Sequence, residues 1–306
     1  MKPTQDMCFL ITAYEDTHGI KRNIRFIRKK YKELTGVAII IVSTSDNPSI
    51  FNFLKTYPNV YFIPFTDAPG SKNNTSYKSR DNGGPYWGWH SEFLPPRILM
   101  SIELGLKKAI ELNKKICFHI HADTYWRPAK IKNLINEMSV LIDQNLLMIA
   151  DMSVQNEVSA RNHNGPRYIA YQPEGMLLNI AECQRTGYGI TFSKIFDEKS
   201  GFVSQNYGCI EILIGQYAIY CLSKKNITKQ TDVLPKIYDE KVRTRMSRDY
   251  HGYFKSGLRN IPPPERSFKL SVRRIIHQIK NYVQTPYELK MPSKTESNWS
   301  NDVLPW

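Results

Sequence analysis

Acidic residues are scarce in this 306-residue chain: 28 Asp and Glu stand against 42 Lys and Arg, a formal net charge of +14. Such an imbalance calls for an anionic partner, whether nucleotide phosphates, nucleic acid or an acidic membrane surface. No nucleic-acid-binding module is recognisable, so nucleic acid is not the expected partner. Long apolar runs are missing too. None approaches the roughly 20 residues that cross a bilayer, and the opening Met1-Lys-Pro-Thr-Gln-Asp6 has no apolar signal core. The expectation is a cytoplasmic protein, peripheral on the inner face of the membrane if it meets one. Cysteines number five, at Cys8, Cys117, Cys183, Cys209 and Cys221. Their odd number, wide spacing and lack of a CxxC pair argue against a disulfide framework and predict reduced, buried thiols. No internal repeat is present.

Apolar residues make up 41% of the chain, enough for a sizeable core. Residues 7–14 and 37–43 are continuous apolar runs, and Val60-Tyr-Phe-Ile-Pro-Phe65 is a third. Between the first two, Ile20, Ile24, Ile27 and Tyr31 recur at helical spacing up to a stop at Gly36. A turn over 45–48 leads into a helix at 49–56. Strands that are apolar throughout, alternating with helices, predict a parallel sheet covered on both faces. Further helices are expected at 97–113, 128–142 and 206–222, and further strands at 146–150, 168–171 and 176–179. Residues 66–89, rich in Gly, Asn, Ser and Lys, read as a long surface loop. Residues 223–265 read as irregular. A helix over 266–283 carries Phe268, Val272, Ile275, Ile276, Ile279 and Val283 on one stripe, with Arg266, Lys269, Arg273, Arg274 and Lys280 beside it. It reads either as an interfacial anchor on an anionic membrane or as an ordinary amphipathic helix packed on the domain.

The run Lys115-Ile-Cys-Phe-His-Ile-His-Ala-Asp123 is the most informative. It reads as a buried strand ending in a carboxylate, and in α/β sheets ligands bind beyond the carboxyl ends of the strands. Asp123, with His121 two residues before it, is placed for a metal or a diphosphate; the alternative is a cap on the turn and helix that follow. In Tyr86-Trp87-Gly-Trp89-His90-Ser-Glu92, the aromatic faces beside glycines suit a sugar ring, with His90 and Glu92 able to bond its hydroxyls. The competing reading is an apolar plug over the sheet.

The element order and these residues resemble the GT-A fold of glycosyltransferases, over roughly residues 7–222. The resemblance implies a nucleotide-binding half (1–126), an acceptor half (127–222) and a C-terminal extension (223–306). It implies contacts to the donor nucleotide from Thr12, Ala13, Tyr14 and Glu15 after the first strand, from Ser45 and Asp46 after the second, and from Arg97. Glu15 and Asp46 could equally cap helices, and Arg97 could be a surface residue. The family's Asp-x-Asp motif reads His121-Ala122-Asp123 here. Asp123 carries over as the metal ligand, while the His leaves strict dependence on Mn²⁺ or Mg²⁺ open. His251 is a second candidate ligand; a solvated loop histidine is the alternative. An inverting transfer needs a general base. Glu211, one carboxylate in an apolar helix start, is the candidate, and desolvation there would suit its pKa; a dipole-stabilising Glu is the alternative. Glu174 and Asp151 are the reserves.

The activity implied is transfer of a sugar from a nucleotide-diphosphate donor, UDP favoured, to a glycan or lipid-linked acceptor in surface polysaccharide biosynthesis. Two rivals remain open. A sugar nucleotidyltransferase would need a Gly-rich phosphate loop near the first strand, which residues 12–19 lack. A non-enzymatic binder of RNA or anionic membrane would rest on the net charge alone.

Overall fold

The computed structural model describes residues 3–30, 34–75, 94–124, 131–156, 167–204, 207–226 and 236–245. The chain divides into two units, Met1–Phe254 and Lys255–Trp306, and every described residue belongs to the first. A short helix α1 (Pro3–Asp6) leads into β1 (Met7–Ala13), α2 (Thr17–Lys30), β2 (Ala38–Ser43), a 3-10 segment (Pro48–Thr56) and β3 (Val60–Pro64). Next come α3 (Leu94–Glu111), β4 (Ile116–His121), α4 (Ile131–Asp143), β5 (Met148–Asn156), β6 (Arg167–Tyr171) and β7 (Met176–Asn179). After α5 (Ile180–Thr186), the described part closes with α6 (Ile210–Ser223), α7 (Lys236–Lys241) and β8 (Val242–Arg245).

The fold is α/β, with a mixed and mostly parallel sheet flanked by helices. Strand order is β3-β2-β1-β4-β7-β5-β6, and β8 pairs with β5. β1 lies parallel to both β2 and β4, and β2 parallel to β3. β7 runs antiparallel to β4 and β5, while β8 returns parallel to β5. The apolar runs explain this arrangement, because both faces of the central strands are buried. Cys8, Leu10 and Cys117 face a core filled from α3 by Leu99, Ile102 and Leu106 and from α6 by Leu213, Ile214 and Tyr217. Phe9, Ile11, Phe118 and Ile120 face the other, filled from α2 by Ile20, Ile24 and Ile27 and from α4 by Leu134, Met138 and Leu141. Each such apolar side chain, fully buried, contributes about 1.5–3 kcal/mol.

Several boundaries differ from the sequence expectation. α3 begins at Leu94, not Arg97, because Pro95 and Pro96 occupy the first turn, where no intrahelical N–H is required. The 49–56 helix is a 3-10 segment starting at Pro48. β4 ends at His121, so Asp123 sits two residues beyond the strand, in a turn. The stretch 223–265, expected to be irregular, holds α7 and β8, and the sheet therefore continues to Arg245. The amphipathic helix expected at 266–283 lies outside the described residues.

Candidate functional site

The chain winds β1–β2–β3 in one direction, then crosses through α3 to place β4 on the other side of β1. Strand order thus reverses between β1 and β4, and in α/β sheets it is beyond the carboxyl ends at such a reversal that ligands bind. Thr12 and His121 face each other in register across that reversal.

Three side chains lock together there. The Thr12 hydroxyl lies 3.0 Å from His119 Nε2 and 3.0 Å from His121 Nδ1, while His119 Nδ1 lies 2.6 Å from the Pro173 carbonyl oxygen. A carbonyl only accepts, so His119 donates through Nδ1 and its Nε2 accepts the single Thr12 proton. The Thr12 oxygen then accepts from His121 Nδ1–H, which puts the lone pair of a neutral His121 on Nε2. His119 is fully buried, and burial, followed by the neighbouring His121 charge, pushes its pKa down to about 3. The ring is neutral, as the bonding requires.

The turn that carries Asp123 is held from three directions. From β1, the Thr12 carbonyl accepts the Ala122 N–H at 2.9 Å. From α2, Asn23 Nδ2 donates to the Ala122 carbonyl at 2.9 Å, and Arg22 Nη2 to the Ala122 and Thr124 carbonyls at 3.2 and 3.1 Å. Beside β7, the buried Glu174 accepts the Thr124 hydroxyl. Helix α2 reaches this close only because residue 19 is Gly: a Cβ there would stand 2.2 Å from the Ala122 carbonyl oxygen. Asp123 itself is half-buried, and its carboxylate makes no hydrogen bond or ion pair with any described residue. It does not cap its own turn.

The residues after β1 and β2 form one adjoining strip. Ala13, at the end of β1, accepts the Thr44 N–H at 3.0 Å, and the Tyr14 carbonyl accepts the Ser43 hydroxyl at 2.7 Å. Ser45 Oγ donates to Glu15 Oε1 at 3.1 Å. Asp46 Oδ1 accepts the Lys72 N–H at 3.1 Å. Arg97 donates through Nε to the Pro69 carbonyl at 2.6 Å, and its guanidinium carbon lies 5.9 Å from the centre of the half-exposed Tyr14 ring. Thr12, Ala13, Tyr14, Glu15, Ser45, Asp46 and Arg97 therefore gather at one edge. Neither carboxylate caps a helix. Asp16 takes that role for α2, accepting the Gly19 N–H at 2.6 Å, and Asn47 precedes the 3-10 segment.

Glu211 is placed differently from its apolar sequence neighbours. Ile210 and Ile212 are buried, but Glu211 is half-buried and accepts from the Cys209 thiol at 3.3 Å. It makes no hydrogen bond to the described residues of the carboxyl edge. The deeply buried carboxylates are Glu174 and Asp151, 2% and 1% exposed. Tyr86, Trp87, Trp89, His90, Glu92 and His251 lie outside the described residues. Sequence reasoning missed His119, Thr124, Arg22 and Asn23. Asn23 left a signal, because it interrupts the apolar stripe Ile20–Ile24–Ile27 and is fully buried.

No group of three or more His, Cys, Asp or Glu side chains among the described residues could hold a metal ion. The described carboxylates at this edge are Asp123, Glu15 and Asp46, and His121 at the end of β4 adds an imidazole. That set suits a hard divalent ion held by one carboxylate together with substrate phosphates, not a cage built by the protein alone.

No family model and no curated protein matches the chain. Solved structures that do match include S. aureus TarS 1–349 in complex with UDP-GlcNAc, at 10% identity over 60% of this chain and 48% of that one, with a TM-score of 0.33. The same protein in complex with UDP matches at 9% identity over 64% and 52%, with a TM-score of 0.35. The chain spans about half the length of these TarS chains. Similarity this low carries no argument about activity, which rests on the site.

Proposed function

We propose that the protein is a glycosyltransferase that moves a sugar from a nucleotide-diphosphate donor, UDP favoured, to a glycan or lipid-linked acceptor. The observation that carries the reading is Asp123: a half-buried carboxylate without a described partner, on a turn held by three elements, just beyond the strand end where strand order reverses. The strip from Tyr14 to Asp46 offers the nucleotide an exposed aromatic ring, hydroxyls and the Arg97 guanidinium. The GT-A resemblance of the sequence supports the same assignment, and the excess of Lys and Arg suits phosphorylated substrates.

In this reading Asp123 and His121 hold Mn²⁺ or Mg²⁺, which when bound neutralises charge on the departing diphosphate. Thr12 fixes the His121 ring so that Nε2 is the nitrogen that can reach a ligand. Glu211 takes the proton of the acceptor hydroxyl in an inverting transfer. A lipid-linked acceptor would require contact with the membrane from one side; no helix among the described residues is long and apolar enough to cross one.

The test is release of UDP from UDP-sugars with Mn²⁺ and an acceptor extract, beside melting temperature with UDP and Mn²⁺, since a ligand of the native state raises it. Asp123→Ala should abolish both the release and the metal-dependent part of the shift. Glu211→Gln should lower turnover by about 10²–10⁴-fold while keeping the shift. Full turnover in Asp123→Ala would remove the site assignment; full turnover in Glu211→Gln alone would move the base to Glu174 or Asp151.

A further inference from the structure

At the opposite, amino-terminal edge of the sheet, a cavity of about 430 Å³ opens between the last turns of α2 and the segments that enter β2 and β3. Tyr57 and Pro58 give it an apolar surface over the buried Ile24, and Arg25, Arg28 and Lys29 also line it. Helix α2 contributes Lys21, Arg22, Arg25, Arg28, Lys29 and Lys30 without one carboxylate, and the segment from Pro48 to Val60 contains no acid either; Glu33, in the segment that enters β2, lies outside the described residues. Among the described residues, no ion pair involves Arg25, Arg28 or Lys29.

Cations near a helix C-terminus complement its dipole, which accounts for Lys29 on the exposed face. Arg28 is different. It is half-buried, donates through Nη2 to the Pro58 carbonyl at 2.7 Å, and burial lowers its pKa. A guanidinium has five N–H donors in a planar fork suited to phosphate oxygens, and among the described residues one carbonyl answers only one of them. Desolvating such a group without an anion costs stability, and a bound anion would recover it.

We propose that this cavity is a binding site for a phosphate group attached to an apolar body. The phosphate sits on Arg28, Arg25 and Lys29, and the apolar part lies against Tyr57 and Pro58. The site lies at the opposite edge from Asp123 and is independent of the donor site. A soluble phosphomonoester and an anionic lipid headgroup share this chemistry.

The experiment uses the full chain in EDTA. One arm titrates phenyl phosphate by calorimetry; the other measures sedimentation with vesicles of phosphatidylcholine with and without phosphatidylglycerol. Wild type should bind saturably in at least one arm. Arg28→Gln should weaken that binding roughly tenfold or more, the effect of losing one charge-assisted bond. Arg25→Gln/Lys29→Gln, at exposed positions, should weaken it without disturbing the fold, and Asp123→Ala should leave it unchanged. Binding in the first arm alone assigns a small phosphomonoester, and binding only to the anionic vesicles assigns the lipid. No saturable binding in either arm, or equal binding by wild type and both cation variants, would overturn the proposal.

Discussion

Lowering the pH from 7 to 4 should cost the fold about 3 kcal/mol through one side chain, His119. The sign follows from the two pKa values. His119 titrates at about 3 in the fold, from an ordinary value of 6.5, because burial and the facing His121 disfavour its charged form. Between these values the unfolded chain binds a proton that the folded chain does not. Stability is therefore fully present above about pH 6.5 and falls through the window below it, by roughly 1.4 kcal/mol per pH unit, until about pH 3. Protonation would also place a second N–H against the only proton of the Thr12 hydroxyl, which donates to that same nitrogen. Urea titrations at pH 7, 6, 5 and 4 on wild type and His119→Gln separate this residue from other titrating groups. The wild-type midpoint should fall more steeply with acid. Parallel curves for the two proteins would show that the ring is not held neutral.

The second large effect is expected at Gly19. A methyl group there would meet the Ala122 carbonyl oxygen at 2.2 Å and the Asp16 carboxylate at the same distance. Asp16 can rotate away, but Ala122 is main chain in the turn beside Asp123. Either α2 lifts from the sheet or the turn moves, at about 1–3 kcal/mol, the range for forcing extra atoms into a packed contact. Gly19→Ala should therefore lower the melting temperature and, under the proposed function, weaken Mn²⁺-dependent UDP binding in the molecules that remain folded. Gly19→Ala/Asp16→Ala should melt below Asp16→Ala alone, which loses only the cap on α2, because the carbonyl contact persists. Equal melting of these two would mean that the side chain was the only obstacle.

Much of this architecture was readable from residue order. The runs at 7–13 and 38–43 are apolar at all but one position, and 116–121 at all but its two histidines, because helices cover both faces, and that pattern needs no tertiary knowledge. β8 was not readable. Val-Arg-Thr-Arg carries one apolar residue, and only pairing with β5 makes it a strand. At the candidate site, Asp123 stands out as a charge ending an apolar run, whereas His119, four residues earlier, carries no such signal. Its role depends on Thr12, 107 positions away, and on the Pro173 carbonyl, 54 away. Glu211 shows the converse limit. An apolar sequence neighbourhood suggested desolvation, but the helix turns that one side chain toward its half-open side.

None of the five cysteines is in a disulfide, and all are buried. Burial raises the Cys221 thiol to about 12 and the Cys183 thiol further, and the adjoining Cys8 thiol holds Cys117 well above its usual range. Such groups stay protonated and out of reach of alkylating reagents while the domain is closed. The protein thus carries a built-in clock: iodoacetamide incorporation should follow the opening of the core rather than surface chemistry, and a nucleotide that tightens the native state should slow it.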